Sequence, residues 1–308
     1  MVRFPVPSSW STYDDAVTLR LEMLQVARLA PRQLEEATEP IKRFLDEQWT
    51  PEGGARDRSG KSDLYYTPFL LECCSALQHD LPHERVAAYL EGFGDGSELD
   101  IVHVASLVRS WKALGKDPPA SLLREAPLFF AERRTADGGY GVDPDDETGS
   151  LYGAFLALGV HQDLGLSVPE PARLADSIAR LRCRDGGYAD SFELLMGTTP
   201  TTAAAVTLLR HLARPTEEEV CAWLLSRTHA QGGFLAMPEA PLPDLLSTAT
   251  ALHALAGAGV SFERVRERCL DFLDSLWTGQ AFVGTWDDDD PDCEYTFYAL
   301  LALGHLAL

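Results

Sequence analysis

An all-α double ring of six helical hairpins is the fold that this 308-residue sequence predicts. Three observations carry the prediction: a recurring glycine turn, an alternation of two kinds of helix, and an apolar end that cannot face water. The clearest turns are Asp137-Gly138-Gly139-Tyr140, Asp185-Gly186-Gly187-Tyr188 and Gln231-Gly232-Gly233-Phe234, whose second glycines lie 48 and then 46 residues apart. A period of that size marks stacked helical units, each with an apolar face that only its neighbours can bury. The whole chain, 1–308, therefore reads as one domain.

Taken in order, residues 1–30 read as an N-terminal extension packing on the barrel. The first hairpin covers 31–77, with a polar helix up to Trp49, the turn Pro51-Glu52-Gly53-Gly54, and Asp63-Leu64-Tyr65-Tyr66-Thr67 opening an apolar helix. Pro68 suits the first turn of that helix, where a missing N–H costs little. The second hairpin, 83–114, is short, turning at Gly92–Gly96 with Asp100 as cap, and the remaining four cover 121–160, 171–213, 216–257 and 262–306.

Leading helices such as Glu263–Leu270 carry charge on one side and belong on the outside. Trailing helices such as Ala249–Leu255 and Ala299–Leu303 are apolar nearly all round and belong inside. An open solenoid would need polar capping repeats. The chain instead ends on Gly304-His305-Leu306-Ala307-Leu308, so the last inner helix is expected to pack on the first and close the ring.

Composition restricts the partners. The formal net charge is −21, from 47 acidic and 26 basic residues, and such a surface repels polyanions, which excludes nucleic acid and anionic membranes. Six cysteines form no C-x-x-C pair and fall mostly in helical stretches, as small core residues do. Met1–Pro7 lacks the apolar core of a signal peptide, and no uncharged run is long enough to span a bilayer. The expected location is the reducing cytoplasm.

The Gly-Gly-aromatic turns, Asp63–Thr67 in the first repeat and Leu242-Pro243-Asp244 before an inner helix together resemble the prenyltransferase and squalene-cyclase repeat superfamily. The resemblance runs along nearly the whole chain. It implies an (α/α)6 toroid with a central cavity that binds an isoprenoid chain, and it offers two chemistries. Protein prenyltransferase β subunits hold one zinc through an aspartate, a cysteine and a histidine. Asp244 matches the aspartate, but Leu246 and Tyr295 stand where the cysteine and histidine would be. Met237 and Ala240 likewise replace the basic residues that grip a diphosphate. Zinc needs three or four ligands, so none is expected here.

Class II terpene cyclases instead protonate an alkene with the middle aspartate of D-x-D-D. Asp143-Pro144-Asp145-Asp146 fits that pattern. Adjacent carboxylates cannot all ionise cheaply, so one keeps its proton to higher pH, and Asp145 is the candidate general acid, tuned by Asp143 and Asp146. The competing reading is an ordinary helix cap: Asp290-Pro291-Asp292-Cys293-Glu294 repeats nearly the same string. The D-D-x-x-D spacing in Asp287–Asp292 leaves a magnesium site open, although Pro291 places it in a loop.

Tyr65, Tyr66, Tyr152, Trp286, Tyr295 and Tyr298 are candidate substrate-binding aromatics, since aromatic faces attract carbocations. His103, Asp244 and His253 sit on or at the start of inner helices and are the candidate polar contacts. Acids at the inner-helix starts, Asp63, Asp100, Asp145, Asp146, Glu147, Asp244, Asp292 and Glu294, are expected to ring one mouth. The function expected is thus a protonation-initiated cyclase acting on an isoprenoid or other apolar molecule. The alternative is a prenyltransferase-β-like protein without its zinc and diphosphate sites, acting with a partner or as a binding module. A homodimer or a helical partner subunit would close a half-enclosed cavity.

Overall fold

In a computed structural model, which describes residues 17–308, six inner helices form a closed ring. They are α4 (Tyr66–Ala76), α6 (Ile101–Ala113), α8 (Leu151–Asp163), α10 (Thr199–His211), α12 (Leu245–Gly257) and α14 (Cys293–Leu306). Each packs on the next, and α14 returns to α4. Outside them lie α3 (Thr38–Glu47), α5 (His83–Glu91), α7 (Ala120–Ala131), α9 (Pro171–Arg180), α11 (Glu218–Leu225) and α13 (Arg266–Ser275). The all-α toroid expected from the repeats is the fold observed.

The two layers differ as their sequences require. On α3 the buried residues are Ile41, Phe44 and Leu45, one stripe at helical spacing, with charge on the rest. On α14 nearly every side chain from Thr296 to Leu306 is buried, because this helix has neighbours on both sides and an outer helix behind it. Five of the six cysteines are buried, and all six are free.

The glycine turns work by conformation and close approach. The first glycine of the pair takes a positive φ at Gly53, Gly138, Gly186 and Gly232, a region L side chains avoid. At Gly232 an added Cβ would also lie 1.8 Å from the carbonyl oxygen of Arg268 on the neighbouring outer helix. The aspartate before the pair ties the turn to the next inner helix: Asp137 accepts from the N–H groups of Gly139 and Gly149, and Asp185 from those of Gly187 and Gly197.

One boundary differs from expectation. The first outer helix does not run unbroken from Pro31 to Trp49. A short α2 (Pro31–Leu34) and a 3-10 turn (Glu35–Ala37) precede α3. Pro40 explains the restart, since its ring clashes with the carbonyl four residues earlier unless it sits in a first turn. Of the N-terminal extension, residues 1–16 lie outside the described residues. Its helix α1 (Leu19–Ala27) packs against α4, α8 and α14, inside one end of the ring.

Polar contacts anchor α1 there. The Leu19 N–H donates to Gln162, and Arg20 donates to Glu72 at 3.2 Å and Asp163 at 3.3 Å. Glu22 accepts from Arg210 and His211. Gln162, Asp163, Arg210 and His211 are the last residues of α8 and α10, so α1 closes the C-terminal end of the ring.

Gly304 makes that seat: a Cβ there would stand 2.0 Å from the carbonyl oxygen of Val26. Gly304→Ala should therefore destabilise the protein by about 1–3 kcal/mol, the usual cost of overpacking a close contact. Urea denaturation measures it, and an unchanged midpoint would show that α1 does not need this approach.

Candidate functional site

The ring encloses a two-lobed cavity, with lobes of about 130 and 250 Å³ that share Leu19, Met23, Tyr65, Tyr152, Phe155 and Tyr298. Helical spacing decides which side chains reach it. On α14 these are Glu294, Tyr298 and Leu301; on α12, Leu246, Thr250 and His253; on α6, Val102, Ala105, Ser106 and Arg109. Each set follows steps of three and four residues, one face of a helix.

Of the aromatic and polar candidates, Tyr65, Tyr152, His253 and Tyr298 line the cavity. Tyr66, His103, Asp244, Trp286 and Tyr295 do not line either lobe. Tyr66 and Tyr295 each stand one residue, about 100° of helix, off the inward face. Tyr295 packs instead under Arg58 and against Gly284. His103 turns back to its own cap, Asp100, at 2.7 Å. Trp286 lies in a loop, where its indole N–H donates to Ser275 and its ring meets Phe272 edge-on.

The caps are only partly those expected. Asp100, Asp244 and Asp292 cap α6, α12 and α14, and Asp63 accepts from the first N–H groups of α4. The cap of α8, however, is Ser150. Asp143, Asp145, Asp146 and Glu147 stand in an exposed loop before it, and Asp146 accepts from the N–H groups of Val142 and Asp143. Asp145 therefore neither caps α8 nor lines either lobe. The near-identical string at the start of α14 behaves differently because its acids sit at and just after the cap. There Asp292 caps, and Glu294, one step inside the helix, points inward.

Glu294, expected among the acids at the mouth, is the carboxylate that α14 turns toward the cavity. Its Oε1 accepts the Tyr65 hydroxyl at 2.7 Å. Burial raises its pKa; the Tyr65 hydrogen bond opposes that rise, and the charge of Asp292 adds to it. Burial, and the charge of Glu294, push the Tyr65 hydroxyl far up, so that it stays a donor. The signal for Glu294 was available in its spacing from Tyr298 and Leu301, counted from the Asp292 cap.

The deeper end is also polar. His253 meets His305 at 3.0 Å between ring nitrogens, and burial lowers their pKa to about 4 and about 3, so both are neutral at pH 7. Glu22, 3.6 Å from His253, is held ionised. Burial opposes its charge, but hydrogen bonds from His211 and Arg210 outweigh it and bring the pKa to about 2.

Metal chemistry of the transferase kind does not fit. Both Asp244 oxygens are taken by Ser247, through its N–H and its hydroxyl, and Leu246 brings only carbon to the cavity wall. In the Asp287–Asp292 loop, Asp288 and Asp292 pair with Arg58, which supplies the positive charge that a cation would otherwise bring. Among the described residues no helix is long and apolar enough to cross a membrane.

Comparison with known proteins agrees with the geometry. The prenyltransferase alpha-alpha toroid domain family matches residues 201–307. No curated protein matches the chain. Among solved structures, the type II terpene cyclase MstE from Scytonema aligns over 90% of this chain and 97% of its own, with 13% identity and a TM-score of 0.61. Protein geranylgeranyltransferase-I from Candida albicans, complexed with GGPP, aligns over 91% and 81%, with 14% identity and a TM-score of 0.53. The ent-copalyl diphosphate synthase from Streptomyces platensis aligns over 79% and 50%, with 18% identity and a TM-score of 0.50. The last third of the chain is thus similar to the prenyltransferase alpha-alpha toroid domain, and the described chain as a whole has the α/α-toroid fold.

Proposed function

We propose that this protein is an isoprenoid-handling enzyme that cyclises a polyprenyl chain by protonating an alkene, with Glu294 as the general acid. One observation carries the reading: a carboxyl group whose ionisation burial resists faces a cavity walled by Tyr65, Tyr152, Phe155, Tyr298 and aliphatic side chains. The toroid fold shared with type II terpene cyclases supports it. Asp145, in its exposed loop, takes no part in this scheme.

The step balances simply. The carboxyl O–H of Glu294 breaks and its proton bonds to the less substituted carbon of a trisubstituted alkene, leaving a tertiary cation and a carboxylate. The next double bond of the chain supplies the electron pair that closes the ring. Loss of a proton from the final cation restores the proton count, and water reprotonates Glu294. Aromatic faces stabilise the passing charge by about 0.5–2 kcal/mol each, and the Tyr65 hydroxyl steadies the carboxylate once the proton has left.

Only the protonated acid can start the reaction. The rate should therefore be highest in mild acid and fall about tenfold per pH unit above the raised pKa of Glu294. Incubation with farnesyl and geranylgeranyl substrates from pH 5 to 8, with products resolved by mass spectrometry, tests this. Absence of any cyclised product across that range would sink the proposal.

A further inference from the structure

Arg109 is the least satisfied charge on the cavity wall. It lies on α6, one turn beyond Ser106, and both line the smaller lobe. Among the described residues, its Nε and Nη2 are buried without a hydrogen-bond partner. The nearest carboxylate oxygen, on Glu72, is 4.0 Å from Nε, and the rings of Phe69 and Phe297 sit 5.9 Å away. Arg20, by contrast, donates to both Glu72 and Asp163.

An arginine cannot shed its proton inside a protein, so Arg109 cannot escape its position by neutralisation. Leaving its N–H groups unpaired costs about 1–3 kcal/mol or more. Glu72 gives Oε1 to Arg20, stands beyond hydrogen-bond reach of Arg109 at 4.0 Å, and burial disfavours its charge. Of the other lining residues, Val102, Ala105 and Phe69 have no side-chain acceptor, and Asp163 already accepts from Arg20. The missing partner is an oxygen that arrives with the ligand.

We propose that the lobe bounded by Ser106 and Arg109 binds the carboxylate of a prenylated acid, whose chain then runs toward Tyr298 and Glu294. This rests on the isoprenoid reading above and adds the class of head group. A planar carboxylate matches the guanidinium fork, its two oxygens answering the two nitrogens that lack acceptors. A diphosphate brings more negative charge than Arg109 offsets, close to the carboxylates of Glu72 and Asp163. Ser106 adds a hydroxyl donor on the same helix face.

Calorimetric titration of the full-length protein at pH 7.5 tests the assignment. The probes are farnesoic and geranylgeranoic acids, the corresponding alcohols and the corresponding diphosphates. The acid of the better-fitting length should bind about tenfold or more tighter than its alcohol, the value of one charge-assisted hydrogen bond. Arg109→Gln should erase that advantage and leave the alcohol's affinity unchanged. Equal affinity of acid and alcohol for the wild type overturns the head-group assignment, as does tighter binding of the diphosphate. Either result leaves the isoprenoid reading standing, and both are read on the wild type even if the variant does not fold. Failure of every probe to bind overturns the two together.

Discussion

Glu294→Gln should cut cyclisation by about 10²–10⁴-fold, the usual contribution of a positioned general acid, while the folded protein stays as stable as the wild type or becomes more so. Glutamine keeps the shape and can still accept from Tyr65, but has no proton to give. The stability side follows from the direction of the pKa shift. Folding raises the pKa of Glu294, so the native state binds more protons than the unfolded state between the two values. Stability is then present below the unfolded value and is lost as pH rises through the folded one. Above the folded value the ionised carboxylate is a net cost that glutamine removes. Product analysis, substrate calorimetry and thermal melting on the same preparation separate chemistry from binding and folding. Asp145→Asn serves as the comparison: full activity is expected from an exposed loop residue, and its loss alongside an active Glu294→Gln would return the acid to the Asp-Pro-Asp-Asp run.

Arg20→Ala should destabilise the protein by about 3–5 kcal/mol at pH 7.5, the range seen when one partner of a buried ion pair is removed. Glu72 is fully buried and Asp163 nearly so, and each would lose its hydrogen bond from Arg20. Burial already raises the pKa of both, with Arg109 and Arg20 opposing it at Glu72 and Arg20 foremost at Asp163. Without Arg20 both rise further, so the variant's native state takes up protons on acidification and part of the deficit disappears by pH 5.5. Glu22 does not confuse the comparison. Its depressed pKa, about 2, means its contribution is present above the unfolded value of 4.5 and is lost only as pH falls toward 2. Urea denaturation at the two pH values gives both numbers. A deficit under about 1 kcal/mol, the median for exposed pairs, or one independent of pH, would show that α1 is not held by this pair.

The two outcomes bear on one design. The helix α1 closes the C-terminal end of the ring, and its Leu19 and Met23 line both lobes. The buried charges that seat it are therefore also the floor of the proposed active site. Loss of the seat should impair activity together with stability, whereas Glu294→Gln should impair activity alone.

The repeat was legible because it is local. Gly-Gly turns need positive φ, outer helices need one polar face, inner helices need none, and all three leave marks within a few residues of chain. Ring closure followed from the apolar C-terminus and is observed in the packing of α14 on α4. The positions of Tyr65, Tyr152, His253 and Tyr298 on the cavity wall were also readable, as residues on or at the start of inner helices.

Rotation about a helix axis was not. Tyr295 and Glu294 are chain neighbours, yet one packs under Arg58 and the other faces the cavity, because a single residue turns the helix by about 100°. The Asp-Pro-Asp strings at 143 and 290 read alike, but their distance from the following cap differs, so one is an exposed loop and the other an entry to the site. Arg20, Glu72, Arg109 and Asp163 meet from four helices far apart in the chain. What the sequence by itself determined is the repeat, the two layers and their closure, since these follow from periodicity. Which carboxylate faces the cavity, and which arginine lacks hydrogen-bond partners there among the described residues, only the tertiary structure decided, because burial and charge pairing depend on neighbours the chain order does not bring together.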